Sequence, residues 1–184
     1  MEIINKLAKE YDIPVFADSQ SSSQLGSITK FSEINLLCPN EREARIALQD
    51  KFSGLEFLAN EIFDICNPDN LIMKLGSQGF ITYSKDKGGR KYSQHFPALA
   101  SNPVDQAGAG DSLLACMALS ISSGLNIMEA SCLSCFMCMI AVQSIGNKPI
   151  SYEQLYSRIK EYLDIWISLS LSSKIVKNTT WKKF

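Results

Sequence analysis

Apolar and polar positions follow two different periods along the chain, and these periods predict strands and helices in alternation. Short apolar runs typical of buried parallel strands occupy residues 14–17, 34–38 and 70–74. Helical spacing of apolar residues predicts helices over residues 3–11, 40–48, 55–65, 109–123, 127–144 and 152–167. Residues 79–83 and 91–96 flank a Gly-Gly segment, which indicates a β-hairpin. We therefore expect a layered α/β/α fold with a mostly parallel sheet and an antiparallel edge hairpin.

The composition is that of an ordinary globular chain. The 184 residues are 46% hydrophobic and 20% charged, which argues against a largely disordered protein. The formal net charge of -1 argues against nucleic-acid binding through bulk charge. The N-terminus lacks the pattern of a signal peptide, and the most apolar region, residues 113–145, is interrupted by polar side chains. We expect a cytoplasmic protein without membrane contact, with one domain over residues 1–167 and a frayed tail over 168–184.

The segment before the fourth predicted helix is the most informative for chemistry. Gly108 and Gly110 flank Ala109, so the backbone can turn tightly and direct successive N–H groups to one place. The helix N-terminus adds positive potential, and the result is an anion hole. The carboxylate of Asp111 follows, and it is suited to accept a proton from a hydroxyl that attacks a phosphoryl group. The alternative, an ordinary loop in which Asp111 caps a helix, is equally compatible with the spacing.

Three motifs resemble those of one enzyme family, in the expected order. Asp-Gln-Ala-Gly-Ala-Gly-Asp at 105–111 resembles the Asp-x-x-Gly-Ala-Gly-Asp signature of the ribokinase-like (PfkB) carbohydrate kinases. Pro-Asn-Glu-Arg-Glu-Ala at 39–44 resembles the Asn-x-x-Glu element of that family. Lys-Leu-Gly-Ser-Gln-Gly at 74–79 resembles the strand-turn-strand that borders its nucleotide site. Gly-Asn-Lys-Pro-Ile-Ser at 146–151 also resembles a segment of the heptose-phosphate kinase branch.

The resemblance implies a ribokinase-like fold and ATP-dependent transfer of the γ-phosphate to a hydroxyl of a sugar or sugar phosphate. Asp111 would be the catalytic base, and the anion hole would be formed by Gly108, Ala109 and Gly110. Asn40 and Glu43 would hold Mg²⁺ through water. The nucleotide would contact these two residues and four others from the third motif, namely Lys74, Gly76, Ser77 and Gly79.

Other readings of these residues stay open. Asp105 matches a position that takes part in a monovalent-cation site in some family members, which implies K⁺. Asn40 and Glu43 have the spacing of a capping box, and Lys74 is equally a strand-end lysine that reaches solvent.

The chain also departs from the family pattern. The resemblance covers roughly the second half of such a kinase, without the N-terminal half, its Gly-Gly sugar-binding element and its β lid. Ser134-Cys135 stands where the heptose branch tends to have Ala-Asn. The alternatives are therefore an inactive kinase half, a nucleotide-binding partner module, or a full enzyme whose start lies upstream of Met1. A homodimer is left open.

Overall fold

The described part of the chain contains one five-stranded sheet, with the strands in sequence order. The computed structural model describes residues 1–19, 28–86 and 88–180. The polar stretch over residues 19–26, which the sequence predicts to be a loop, lies mostly outside the described residues. The strands are β1 (Phe16–Ala17), β2 (Leu36–Leu37), β3 (Asn70–Lys74), β4 (Phe80–Lys85) and β5 (Lys91–Phe96). β1, β2 and β3 pair in parallel, whereas β4 pairs antiparallel with both β3 and β5. The mostly parallel sheet and the edge hairpin are both confirmed.

The first two strands are shorter than predicted, because a side-chain hydrogen bond and two prolines interrupt the regular main-chain hydrogen bonds between the strands. The backbone N–H of Val15 donates to Asn35 Oδ1 at 2.8 Å instead of to a main-chain carbonyl. Pro14 precedes β1 and Pro39 follows β2, and neither residue has an N–H to donate. The alignment of Phe16 with Leu36 still sets the register of the parallel pair.

Six α-helices occur in the described residues, together with two short 3₁₀ helices at Ile28–Lys30 and Gly76–Gln78. The bounds of the α-helices are α1 (Glu2–Glu10), α2 (Glu41–Leu48), α3 (Leu55–Cys66), α4 (Ala109–Ser122), α5 (Ile127–Ala141) and α6 (Tyr152–Thr180). A capping box begins α2 at Asn40 and another begins α5 at Asn126. Within the described part, none of these helices is both long and apolar enough to cross a membrane.

The sheet separates two hydrophobic clusters, because side chains alternate along each strand. On one face, Leu37 and Leu71 pack with residues of α3 such as Phe63. On the other face, Leu36 and Ile72 pack with residues of α4 and α5. Helices therefore cover both faces, as expected for an α/β/α architecture.

The chain divides into two compact units. The first unit runs from Met1 to Asn147 and contains the whole sheet, whereas the second begins at Lys148 and contains α6. The sequence predicted that helix to end at Ile167 and the tail to fray from Ser168. The backbone is helical to Thr180 in the described residues, so α6 extends past its predicted end, while the frayed tail over 168–184 stays a prediction. Residues 168–180 contain neither Pro nor Gly, so nothing in that segment breaks the helix.

Candidate active site

Three polar residues lie at one edge of the sheet, where the parallel strands end. Asp18 follows β1, Asn40 follows β2 and Lys74 ends β3. Asn40 and Lys74 form a parallel bridge, and the N–H of Lys74 donates to Pro39 O at 2.9 Å. The carboxyl ends of parallel strands are the usual place for ligands in open α/β sheets.

Lys74 and Asp18 form a partly buried ion pair at this edge. Lys74 Nζ lies 2.5 Å from Asp18 Oδ2, and the two side chains are only 17% and 19% exposed. Asp18 Oδ1 accepts the N–H of Ser19 at 2.8 Å. Burial raises the pKa of Asp18 more than the ammonium group of Lys74 lowers it. Asp18 is absent from the predicted site, although an acidic residue directly after a buried strand was a signal that could have identified it.

The glycine turn places the start of α4 at the same edge. Gly108 is the N-cap residue with φ of 76°, which favours glycine. A Cβ at Gly108 would also lie 2.5 Å from Asn147 Oδ1, so the position has no room for a side chain as Asn147 stands. A Cβ at Gly110 would lie 3.5 Å from Lys74 Nζ, which shows that the turn and the ion pair are neighbours.

The N–H groups of this turn are only partly engaged. Ala109 N donates to Gln106 O at 3.4 Å, whereas the N–H groups of Gly110 and Asp111 make no hydrogen bond with the described residues. Free donors in the first turn of a helix are suited to bind an anion. The N–H group of Gly108 likewise makes no hydrogen bond with the described residues, so the unengaged donors of this turn include Gly108 and Gly110 of the predicted anion hole.

Asp111 lies in the first turn of α4 with its side chain exposed. Among the described residues, no hydrogen bond or ion pair involves its carboxylate. It is not among the residues that line the neighbouring cavity, although Gly110 beside it is. The carboxylate is therefore accessible to a substrate hydroxyl that reaches this edge.

A cavity of about 560 Å³ brings together most of the predicted site residues. Seven of them line it: Asn40, Lys74, Gly76, Ser77, Gly79, Ala109 and Gly110. Its other walls come from the segment that follows β5 (97–101) and from α5, including Cys135 and Cys138. Burial raises the pKa of both thiols to about 12. Glu43, Asp105, Gly108 and Asp111 lie outside the lining.

The turn between β3 and β4 forms one wall because two glycines adopt positive φ. Gly76 has φ of 59° and Gly79 has φ of 88°. The N–H of Leu75 donates to Gly79 O at 2.8 Å and closes the turn. A Cβ at Gly79 would lie 2.7 Å from Ala98 N, so the main chain of the turn is in close contact with that of the segment after β5.

The neighbouring residues Ser134 and Cys135 of α5 have different surroundings. Cys135 lines the cavity, while Ser134 is fully buried and its hydroxyl has no hydrogen-bond partner among the described residues. The Cys135 thiol donates to Pro97 O at 3.9 Å, so α5 contacts the segment after β5 at this point. A thiol at this position makes the lining more apolar than the amide that the heptose branch tends to carry there.

Asn40 and Glu43 form the capping box that their spacing predicts. Asn40 Oδ1 accepts the N–H of Glu43, and Glu43 Oε2 accepts the N–H of Asn40, both at 2.8 Å. Glu43 is 4% exposed, and its Oε1 makes no hydrogen bond with the described residues. An amide oxygen and a carboxylate are hard oxygen donors, so this pair fits a hydrated Mg²⁺.

Asp105 connects the loop before α4 to the segment after α5 through hydrogen bonds. Its Oδ1 accepts the N–H of Ala107 at 2.9 Å, and its Oδ2 accepts the N–H of Gly146 at 3.0 Å. These hydrogen bonds lower the pKa of the Asp105 carboxyl. Each oxygen keeps a second lone pair, so the carboxylate also fits a monovalent cation.

Comparisons with known proteins agree with this architecture. The sequence model of a protein family, described as pfkB family carbohydrate kinase, matches residues 1–153. The bifunctional protein HldE of Campylobacter jejuni subsp. jejuni serotype O:6 is 32% identical over 159 residues, which cover 83% of this chain and 32% of HldE. The structure of ribokinase from Thermotoga maritima superimposes with a TM-score of 0.70 at 23% identity, over 86% of this chain and 53% of that chain.

Phosphofructokinase-2 from Escherichia coli, solved in complex with potassium, superimposes with a TM-score of 0.69 at 18% identity, over 86% of this chain and 50% of that chain. At such identities the two structures establish the ribokinase-like fold. The chain spans 32% of the length of the curated relative and about half the length of the solved ones.

Proposed function

The chain belongs to the pfkB family of carbohydrate kinases, and on this basis we propose that it is a sugar kinase domain that transfers the γ-phosphate of ATP to a sugar hydroxyl. The observation that carries the proposal is that Asn40, Lys74 and Gly110 line one cavity. Strand ends and a helix start there present an amide oxygen, an ammonium group and free N–H groups. This donor set suits a nucleotide triphosphate.

The acceptor that we propose is a sugar or sugar phosphate, with a heptose phosphate as the first candidate. The similarity to HldE and the Gly-Asn-Lys-Pro-Ile-Ser segment at 146–151 support that candidate. The hydroxyl oxygen of the acceptor attacks the γ-phosphorus, ADP leaves, and the hydroxyl proton passes to the carboxylate of Asp111. The exposure of Asp111 supports this role, because a base must reach a proton on a bound substrate.

The charge on the transferred phosphoryl group is stabilised by the start of α4. The free N–H groups of Gly110 and Asp111 are prearranged donors, so they need no reorganisation during the reaction. The backbone of Gly108 and Ala109 shapes that turn. Lys74 adds a positive charge beside Gly110. The nucleotide runs along Gly76, Ser77 and Gly79 in the same cavity.

Two cation sites complete the proposal. Asn40 and Glu43 hold Mg²⁺ through water, and the ion neutralises phosphate charge when it is bound. Asp105 is the proposed ligand of a monovalent cation such as K⁺, as its remaining lone pairs allow. Both roles leave intact the backbone hydrogen bonds that these side chains already make.

The function is tested by measuring binding and transfer separately. MgATP binding is followed by isothermal titration calorimetry, and transfer to a heptose phosphate is followed by mass spectrometry of the product. We expect Asp111→Asn to bind MgATP like the parent and to lose about 100-fold or more in turnover. Glu153→Gln, which removes a first-turn carboxylate from α6, is the matched control and should leave turnover unchanged.

Three outcomes separate the proposal from its alternatives. Equal turnover in the parent and in Asp111→Asn would remove Asp111 from the role of base. MgATP binding without transfer by the parent would favour the nucleotide-binding partner module. A chain that binds no nucleotide would favour the inactive kinase half.

A further inference from the structure

The ion pair between Asp18 and Lys74 has a role that the kinase proposal leaves unassigned. We infer that Asp18 is a positioning residue that holds the Lys74 ammonium group beside Gly110, where that group contacts the terminal phosphate of the nucleotide. The inference rests on the proposed function and deepens it. It adds Asp18, 56 positions away along the chain, to the residues that prepare the site.

The geometry supports a fixed ammonium group. A Cβ at Gly110 would lie 3.5 Å from Lys74 Nζ and 3.8 Å from Asp18 Oδ2, so the pair lies against the glycine turn. A free lysine side chain is flexible, and ordering it costs conformational entropy. Asp18 is itself held by the N–H of Ser19, so the ammonium group is already ordered before a ligand arrives.

The charges around the pair also argue for a role in binding an anion. Glu43 is close enough to Asp18 to raise its pKa, so two carboxylates occupy this end of the sheet. Lys74 lines the cavity, as do residues of the glycine turn. Neither carboxylate, that of Asp18 or that of Glu43, lines it. The cavity therefore presents the cation of the pair to a ligand, with its carboxylate partner behind.

A purely structural ion pair makes a different prediction from a positioning pair. The pair is partly buried, so a purely structural role predicts that removing one partner lowers the unfolding free energy, because the other charge is left uncompensated. Asp18→Asn removes a negative charge near the cavity, and long-range attraction alone would then strengthen the binding of MgATP. Loss of positioning would instead weaken it, because Lys74 would no longer be held beside Gly110.

The test is a double-mutant cycle on nucleotide binding. Calorimetry with MgATP and with AMP is performed on the parent, Lys74→Met, Asp18→Asn and the double variant. We expect Lys74→Met to weaken MgATP binding by about 10-fold or more and to leave AMP binding unchanged, because only the triphosphate reaches Lys74. Asp18→Asn should weaken MgATP binding by roughly 3- to 10-fold in the parent and have no further effect in Lys74→Met.

The controls separate charge and folding from positioning. Lys9→Met removes the same charge from the exposed ion pair between Lys9 of α1 and Glu33, and it should leave MgATP binding unchanged. Lys74→Arg should keep most of the affinity, and Asp18→Ser is the second variant if Asp18→Asn does not fold. Thermal melting establishes that each variant is folded.

The remaining results distinguish failure of the inference from failure of the proposed function. Tighter MgATP binding by Asp18→Asn, or equal weakening of MgATP and AMP, would overturn the inference and leave the kinase proposal standing. Weakening by Asp18→Asn in the Lys74→Met background would overturn it as well. Failure of the parent chain to bind either nucleotide would contradict the proposed function and the inference together.

Discussion

Replacing Gly79 by alanine tests whether the turn that lines the cavity depends on close backbone contact. Gly79 has φ of 88° and ψ of -129°, a conformation that side-chain-bearing residues adopt at a cost of about 1–3 kcal/mol. The new Cβ would lie against Phe96 O and 2.7 Å from both Pro97 C and Ala98 N. These are main-chain atoms that cannot rotate away, and overpacking of this kind costs about 1–3 kcal/mol more. We therefore expect Gly79→Ala to lose roughly 2–6 kcal/mol of unfolding free energy.

Gly76→Ala is the matched control for that experiment. Gly76 also has positive φ, at 59°, but nothing lies within 4 Å of the position of its Cβ. It should therefore cost only the backbone strain, about 1–2 kcal/mol. Urea unfolding followed by far-ultraviolet circular dichroism measures both free energies. If Gly79→Ala loses no more stability than Gly76→Ala, the argument from close backbone contact is refuted.

Two further predictions concern side chains with both a structural and a proposed ligand role. Asn40→Ala and Asn126→Ala each remove one capping box, so each should lower the unfolding free energy by about 1 kcal/mol. Only Asn40→Ala should also reduce the gain in ATP affinity that Mg²⁺ produces, as measured by calorimetry. An equal effect of Mg²⁺ on ATP affinity in the two variants would contradict the metal role. The pKa of Asp105 lies below its ordinary value of 3.8, so its stabilising contribution is present above that pH and is lost as the pH falls through the folded-state pKa. Asp105→Asn should therefore melt below the parent at neutral pH, and this difference should shrink in acid; a difference that stays constant with pH would count against the linkage.

The elements predicted with the closest bounds are those with a strong local pattern. β3 spans Asn70–Lys74 as the apolar run predicts, and α2 begins directly after Asn40, its N-cap residue, with the predicted capping box. The hairpin of β4 and β5 is likewise present. Periodicity, caps and turns depend on residues a few positions apart, so a single sequence contains enough information to identify them.

The shape of the candidate site was decided by tertiary structure. The sequence alone indicated a glycine turn, an acidic residue after it and a lysine at a strand end. Only the folded chain joins Asp18 to Lys74 and places Asn147 against Gly108, because parallel crossovers bring strand and helix ends together from distant positions. The free N–H groups at Gly110 and Asp111 likewise depend on which carbonyls the turn brings within reach. Local sequence determined the elements and their chemistry, and long-range packing determined which of those groups share a cavity.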